Sequence, residues 1–360
     1  MNKRTYINRT VSALIAAALI FTGLPQTGYG AEAVSADNAK ISQSADISIG
    51  TAEELEELAL NAKNSTYTSG KVIRLTKDID LGGKEFSPIA VMAGTFDGNG
   101  HKISGIKMTG KLSETGFIRQ VSKGGAVIGL TVEGTISANG TAENIGGITG
   151  ENEGLISNCI FSGSIDAEKS VGGIVGHNKE DGTILQCEND GAVNARNKVG
   201  GIAGYNEGTI DSCKNLGAIN SVPSDIGKDS DDEDDTNDDE KDALELIDTN
   251  PTDIFEGDLK DKIDVKAVKY TGGIAGASSG TVRNSSNRGT VGFEHIGYIT
   301  GGVVGYDRGI LYSCTNDGTV YGRRDIGGIV GEFEPYVSNI YEEDSIDKAG
   351  DELDDMVDII

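Results

Sequence analysis

The chain has 360 residues, a formal net charge of −26, 52 glycines, five prolines, four cysteines and no tryptophan. So acidic a balance argues against nucleic acid and anionic lipid as partners, because both need a basic surface to meet their phosphates. Many glycines with few prolines and no tryptophan fit one elongated, turn-dense repeat domain better than two compact ones.

The N-terminus reads as a targeting segment. Lys3, Arg4 and Arg9 precede an apolar run from Val11 to Leu24, followed by Ala31-Glu32-Ala33. That is the pattern of a secretory signal peptide over residues 1–33, too short in its apolar run for a comfortable membrane span. Val34-Ser35-Ala36 offers a second cut. No later stretch is apolar for long enough to cross a bilayer, so the mature chain is expected to be exported without membrane insertion.

Residues 34–49 are mostly small and polar and read as a linker. Thr51-Ala52-Glu53-Glu54 is a capping box, opening an amphipathic helix through Leu55, Leu58, Ala59 and Ala62. A single helix ahead of a β-solenoid is expected to cap the first open rung. Val72 to Leu75, Ile79 to Leu81 and Phe86 to Ile89 read as the first strands, with Gly94 to Ile103 carrying turn signals between strands.

From Ile145 onward one phrase repeats. Ile145-Gly146-Gly147-Ile148-Thr149-Gly150 returns as Val171 to Gly176, Val199 to Gly204, Thr271 to Gly276, Thr300 to Gly305 and Ile326 to Gly331. Most steps are 26 to 29 residues, the period of a stacked repeat that cannot bury its apolar face alone. Short β-branched runs separated by Gly, Asn, Asp and Ser read as strands and turns. The paired glycines suit either positive φ or a neighbouring layer that leaves no room for Cβ. Asn152, Asn178 and Asn206, with Asp307 in the same slot, read as turn residues that tolerate left-handed geometry. Cys159, Cys187, Cys213 and Cys314 each lie five residues after a glycine, where Ser285 stands in the remaining coil. One inward-facing column of buried core thiols is the expectation, with a single rung-to-rung disulfide as the alternative.

From Ser221 to Lys266 the apolar rhythm stops, and Asp229 to Glu240 is almost wholly acidic. This reads as a solvated loop inserted into one coil. Residues 341–360 return to three- and four-residue apolar spacing at Ile346, Ala349, Leu353, Met356 and Ile360. That is an amphipathic helix with coiled-coil character, able to form an oligomer, and either a far cap or the start of a further region. The insertion carries −13 and residues 341–360 carry −8, leaving the barrel only mildly acidic.

Catalytic chemistry is sparse. His101, His177 and His295 form no H-E-x-x-H pair, and no G-x-S-x-G elbow occurs. His177 stands where other coils have Glu151, Tyr205, Tyr306 and Glu332, and it reads as an exposed turn position. Asp80, Asp97 and Asp166 lie near predicted strands as carboxylates for acid/base work, although turn aspartates are the plainer reading. The Asp229–Glu240 run lacks the spacing that wraps a calcium ion. No catalytic, cofactor-binding or metal residue is assigned, and no enzyme activity is expected.

The phrases at Gly172 to Asn178 and Gly200 to Asn206 resemble the GLUG-motif repeats of bacterial exported proteins. The stretch Thr51 to Ile106, with Phe96-Asp97-Gly98-Asn99-Gly100-His101, is similar to the segment that commonly precedes them. The resemblance runs from Thr51 to Ile340 apart from the insertion. It implies an all-β fold, a right-handed parallel β-helix over residues 50–340 related to the pectate-lyase-like group. Similar repeats occur in large surface proteins and ahead of bacterial immunoglobulin A metallopeptidases, whose zinc motif is absent here. The calcium-binding aspartates and catalytic base of pectate lyases have no matching positions. The expectation is therefore a secreted or cell-surface stalk or adhesin-like module for glycan, host protein or cell-wall protein. A β-helix polysaccharide lyase or hydrolase, or the accessory N-terminal region of a larger surface protein, are the alternatives.

Overall fold

The computed structural model describes residues 44–220 and 268–334. Residues 1–33, read as a signal peptide, the acidic insertion read over 221–266 and residues 341–360 lie outside the described residues. Within them the chain is a parallel β-solenoid of about nine turns. One coil shows the plan: Lys169–Gly172, Val175–Asn178, Thr183–Leu185 and Glu188–Asn189 each join a different sheet. We call these sheets I to IV, with six, eight, nine and nine strands in linear order among the described residues. Ile47–Ile49 is the first strand of sheet III, pairing Ile47 with Ile73. The linker read over residues 34–49 is therefore corrected at its end, where two isoleucines extend the barrel by one rung.

Helix α1, Ala52–Asn61, starts at the capping box: the Glu54 N–H donates to Thr51 Oγ1 at 3.2 Å, and Thr51 N–H returns to Glu54 Oε2 at 3.1 Å. Leu55, Leu58 and Ala59 are buried, and the helix packs on the strand Ile89–Met92.

Register is in phase from coil to coil. Gly146, Gly172, Gly200, Gly272, Gly301 and Gly327 pair in one column. The same register stacks Ile156, Ile184, Ile210, Val282 and Leu311 down the inside of sheet III. A strand alternates faces, so a repeat that keeps its period keeps every apolar side chain inward. Phe86, Phe96 and Phe117 fill the wider N-terminal end, with ring centroids 5.6 and 5.3 Å apart.

The glycine pairs do not use positive φ. Left-handed backbone falls instead at ordinary residues in two columns: Asn144, Ser170, Lys198, Tyr270, Ile299 and Asp325 inside the strands of sheet I, then Asn158, Gln186, Ser212, Asn284 and Ser313 at the corner from sheet III to sheet IV. The pairs are glycine for space. A Cβ on Gly201 would collide with the Asn215 side chain and with the Gly273 carbonyl of the next coil.

The asparagines read as turn residues are corrected too. Asn152, Asn178 and Asn206 end strands of sheet II, point inward and are fully buried. Asn152 Nδ2 donates to Asn178 Oδ1 and Asn178 Nδ2 to Asn206 Oδ1, both at 2.8 Å. Each also donates to a backbone carbonyl in its own coil, as Asn178 does to Gly182 at 3.1 Å. A second ladder runs down sheet IV through Asn189, Asn215, Asn287 and Asn316, with links of 2.8, 2.7 and 2.7 Å. Phe161 heads this column in the preceding coil.

The cysteine column is as the spacing predicts. Cys159 N–H lies 3.5 Å from Cys187 Sγ, and Cys213 N–H donates to Ser285 Oγ at 3.1 Å. All four are free thiols, three of them buried, and burial pushes the Cys187 thiol well up, away from reactive thiolate.

Asp307 occupies the ladder slot of sheet II after Ser278. Its Oδ1 accepts from Gly309 N–H at 3.1 Å, but its buried Oδ2 has no partner. Burial pushes this carboxyl up from its ordinary value. The folded state therefore holds the Asp307 proton more tightly than the unfolded state. Its contribution is most favourable below the unfolded pKa and is lost as pH rises through the folded one. Asp307→Asn is expected to stabilise by about 1–2 kcal/mol at neutral pH, since an amide can donate where the bare oxygen cannot. Urea midpoints of both proteins at acid and neutral pH check this; a gap that fails to widen as pH rises counts against it.

Candidate functional site

The interior repeats itself, so chemistry that differs between coils sits outside. On sheet II the residue before each ladder asparagine faces outward by strand alternation. This column reads Gln120, Glu151, His177, Tyr205, Ala277, Tyr306, Glu332. His177 is thus on a strand face, not in a turn, because the glycine before it is packed within the strand Val175–Asn178.

The first left-handed column is the second residue of each sheet I strand, and its side chains meet this face. Asn144 Nδ2 donates to Glu151 at 3.0 Å, Lys198 Nζ lies 3.9 Å from the Tyr205 ring centre, and Tyr270 sits 5.2 Å from Tyr306. The His177 ring stacks on Tyr205 at 5.0 Å, and its Nε2 is 2.8 Å from Glu207. Tyr205 Oη is 3.3 Å from Ser279 Oγ, and Lys179 bridges Glu151 at 2.7 Å and Glu153 at 3.4 Å. Burial, then the nearby Lys169 ammonium, push Lys198 below its ordinary value, against the pull of Glu207 and Glu143. Burial pushes the Tyr205 phenol up. A hydrogen bond to Glu334 pushes the Tyr306 phenol up to about 12. The result is a stripe whose chemistry changes from rung to rung, each ~4.8 Å, from the Glu151 carboxylate through the His177 and Tyr205 rings to Tyr306 and Glu332, with Lys179, Lys198 and Tyr270 against it.

The three carboxylates named from sequence each have a local partner. Asp80 accepts from Gly82 N–H at 2.9 Å, Asp97 pairs with Arg74 at 2.7 Å, and Asp166 accepts from Asn194 at 3.0 Å. His101 Nδ1 lies 3.0 Å from Asp78, and His295 is exposed on a left-handed residue. None of these joins the stripe. Among the described residues no group of three His, Cys, Asp or Glu side chains is placed to hold a metal, and no helix is long and apolar enough to cross a membrane. Sequence reading noted that the residue at 177 varies between coils, but it missed Lys198, which reaches the stripe only because the corner folds it there.

No family model matches the chain. A solved structure from Bacteroides ovatus, designated a candidate immunoglobulin A1 protease, aligns with a TM-score of 0.46 at 18% identity, over 78% of this chain and 84% of that one. Halomucin of Haloquadratum walsbyi is 32% identical over 154 residues, 37% of this chain and 2% of its own length. The chain is therefore similar to a small fraction of that curated relative, and its architecture, a parallel β-solenoid, is what the geometry itself establishes.

Proposed function

We propose that the chain is an exported, surface-located solenoid of GLUG-like repeats, right-handed, closed at its N-terminal end by α1, and acting as a non-catalytic binding module for glycan or for host or cell-wall protein. One observation carries the reading. Register holds the inward columns nearly constant, while the outward column of sheet II runs through Glu151, His177, Tyr205, Ala277, Tyr306 and Glu332. A scaffold that fixes its inside and varies its outer columns, this one among them, serves recognition, and the A-x-A pattern at Ala31-Glu32-Ala33 supports export.

Screening the purified full chain on glycan and extracellular-protein arrays tests it. Binding is expected, with His177→Ala and Tyr205→Ala together weakening it at unchanged circular dichroism. Binding indifferent to both changes moves the site off the stripe. A polysaccharide lyase is the second reading, and it rests on Lys198, an amine held below its ordinary value beside a phenol. It requires ultraviolet-absorbing unsaturated products when the chain is incubated with a polyuronate.

A further inference from the structure

The corner between sheets I and II has a charge pattern that the whole-chain charge of −26 conceals. Three columns build it: the outer residues that start each strand of sheet I, the left-handed residues that follow them, and the outward column of sheet II. The coil with Glu143, Asn144 and Glu151 is acidic. The next three coils bring Lys169, Ser170 and His177, then Asn197, Lys198 and Tyr205, then Lys269, Tyr270 and Ala277. Each supplies one ammonium group and no carboxylate. A neutral coil with Tyr298, Ile299 and Tyr306 follows, and acid returns only in the coil after it, with Asp325 and Glu332 beside Arg324.

Two groups of the corner are already paired, Lys169 with Glu143 at 2.6 Å and His177 with Glu207 at 2.8 Å, while Glu168 meets Arg196 at 3.6 Å. Among the described residues, Lys198 meets a ring rather than a carboxylate, and Lys269 is exposed with no carboxylate partner. Asn197, between Lys169 and Lys269 in register, has a buried amide oxygen without a hydrogen-bond partner.

We propose that this corner binds an anionic polysaccharide lying along the solenoid axis. The proposal rests on the binding-module reading and names its ligand. Lys198 and Lys269, on successive rungs and without a carboxylate partner among the described residues, suit a polymer with one negative group per unit, and a pyranose unit spans about one rung. The edges of Tyr205 and Tyr270 and the Asn197 amide suit hydroxyl-rich rings rather than the bare phosphates of a nucleic acid. The acidic coil of Glu143 and Glu151 bounds the site at one end, and the coil of Tyr298 and Tyr306, which brings no ammonium group, ends the run of lysine-bearing rungs at three, roughly 15 Å.

Titrating the full chain with alginate, neutral dextran and single-stranded DNA, at low and high salt, tests this. Alginate is expected to bind, to weaken with salt, and to lose about tenfold in affinity in the double variant Lys198→Gln, Lys269→Gln. Lys214→Gln, on sheet IV, is expected to change nothing. Dextran bound as well as alginate, with no effect of the lysine changes, overturns the anionic assignment and leaves glycan binding standing. DNA bound as tightly as alginate overturns it as well, reducing the corner to general polyanion attraction. Failure of every glycan in both this titration and the array overturns the inference together with the glycan arm of the function.

Discussion

Replacing Asn178 with alanine is expected to cost about 3–5 kcal/mol, because the side chain serves three fully buried partners. Its Nδ2 donates to Gly182 O and to Asn206 Oδ1, and its Oδ1 accepts from Asn152 Nδ2. Alanine leaves an amide N–H on one side and an amide oxygen on the other without their link, in the buried interior. Each orphaned group costs about 1–3 kcal/mol, and the ladder's aligned amides polarise one another, so the loss extends past the two neighbours. Thr183→Ala, in the same coil on the partly exposed face of sheet III, is expected to stay within about 0.5 kcal/mol. Urea unfolding of both variants reads the difference as a shift in midpoint. Equal midpoints would show that the ladder is bystander to coil stacking.

A valine at Gly201 is expected to cost about 4 kcal/mol or more. The Cβ direction is filled by Asn215, the central amide of the second ladder, and by the Gly273 carbonyl. That carbonyl accepts the Gly201 N–H at 3.2 Å, so any shift that admits the side chain lengthens a coil-to-coil hydrogen bond. Overpacking costs about 1–3 kcal/mol and the disturbed amide a similar amount again. Gly140 provides the contrast: its φ is +74° with open space beyond it, so alanine there meets only backbone strain of about 1–2 kcal/mol. Thermal unfolding should therefore rank Gly201→Val well below Gly140→Ala; the reverse order would mean that conformation, not space, fixes the pairs.

The repeat, the cysteine column and the apolar interior were legible because periodicity alone places them. The asparagines were not, because the same side chain suits a left-handed turn and a buried ladder. A usable signal was present: Asn189-Asp-Gly191, Asn215-Leu-Gly217, Asn287-Arg-Gly289 and Asn316-Asp-Gly318 keep the outer two residues and change the middle one. A turn residue facing water has no reason to be so constant, whereas one bonded to its own counterpart above and below cannot drift. The glycine pairs left two physical causes open, and only the packing of Asn215 beneath Gly201 decides between them. The strand Ile47–Ile49 escaped notice because its apolar face is two residues wide. The stripe was legible as variation at 177 and its equivalents, but the lysines that charge it arrive from a different strand.

The ladders also make the coil a unit of exchange. Every amide in a column presents the same donor to the coil on one side and the same acceptor to the coil on the other. Asn215 reaches Asn287 across 72 positions at 2.7 Å, and Asn189 reaches Asn215 across 26 at 2.8 Å, so the seam is blind to how much chain lies between. Adding or removing a whole coil rejoins like to like and leaves no polar group stranded, while adding part of a coil breaks both columns together. Such a molecule can change its reach in increments of ~4.8 Å without redesign of its interior. Length, in this architecture, is open to selection independently of stability.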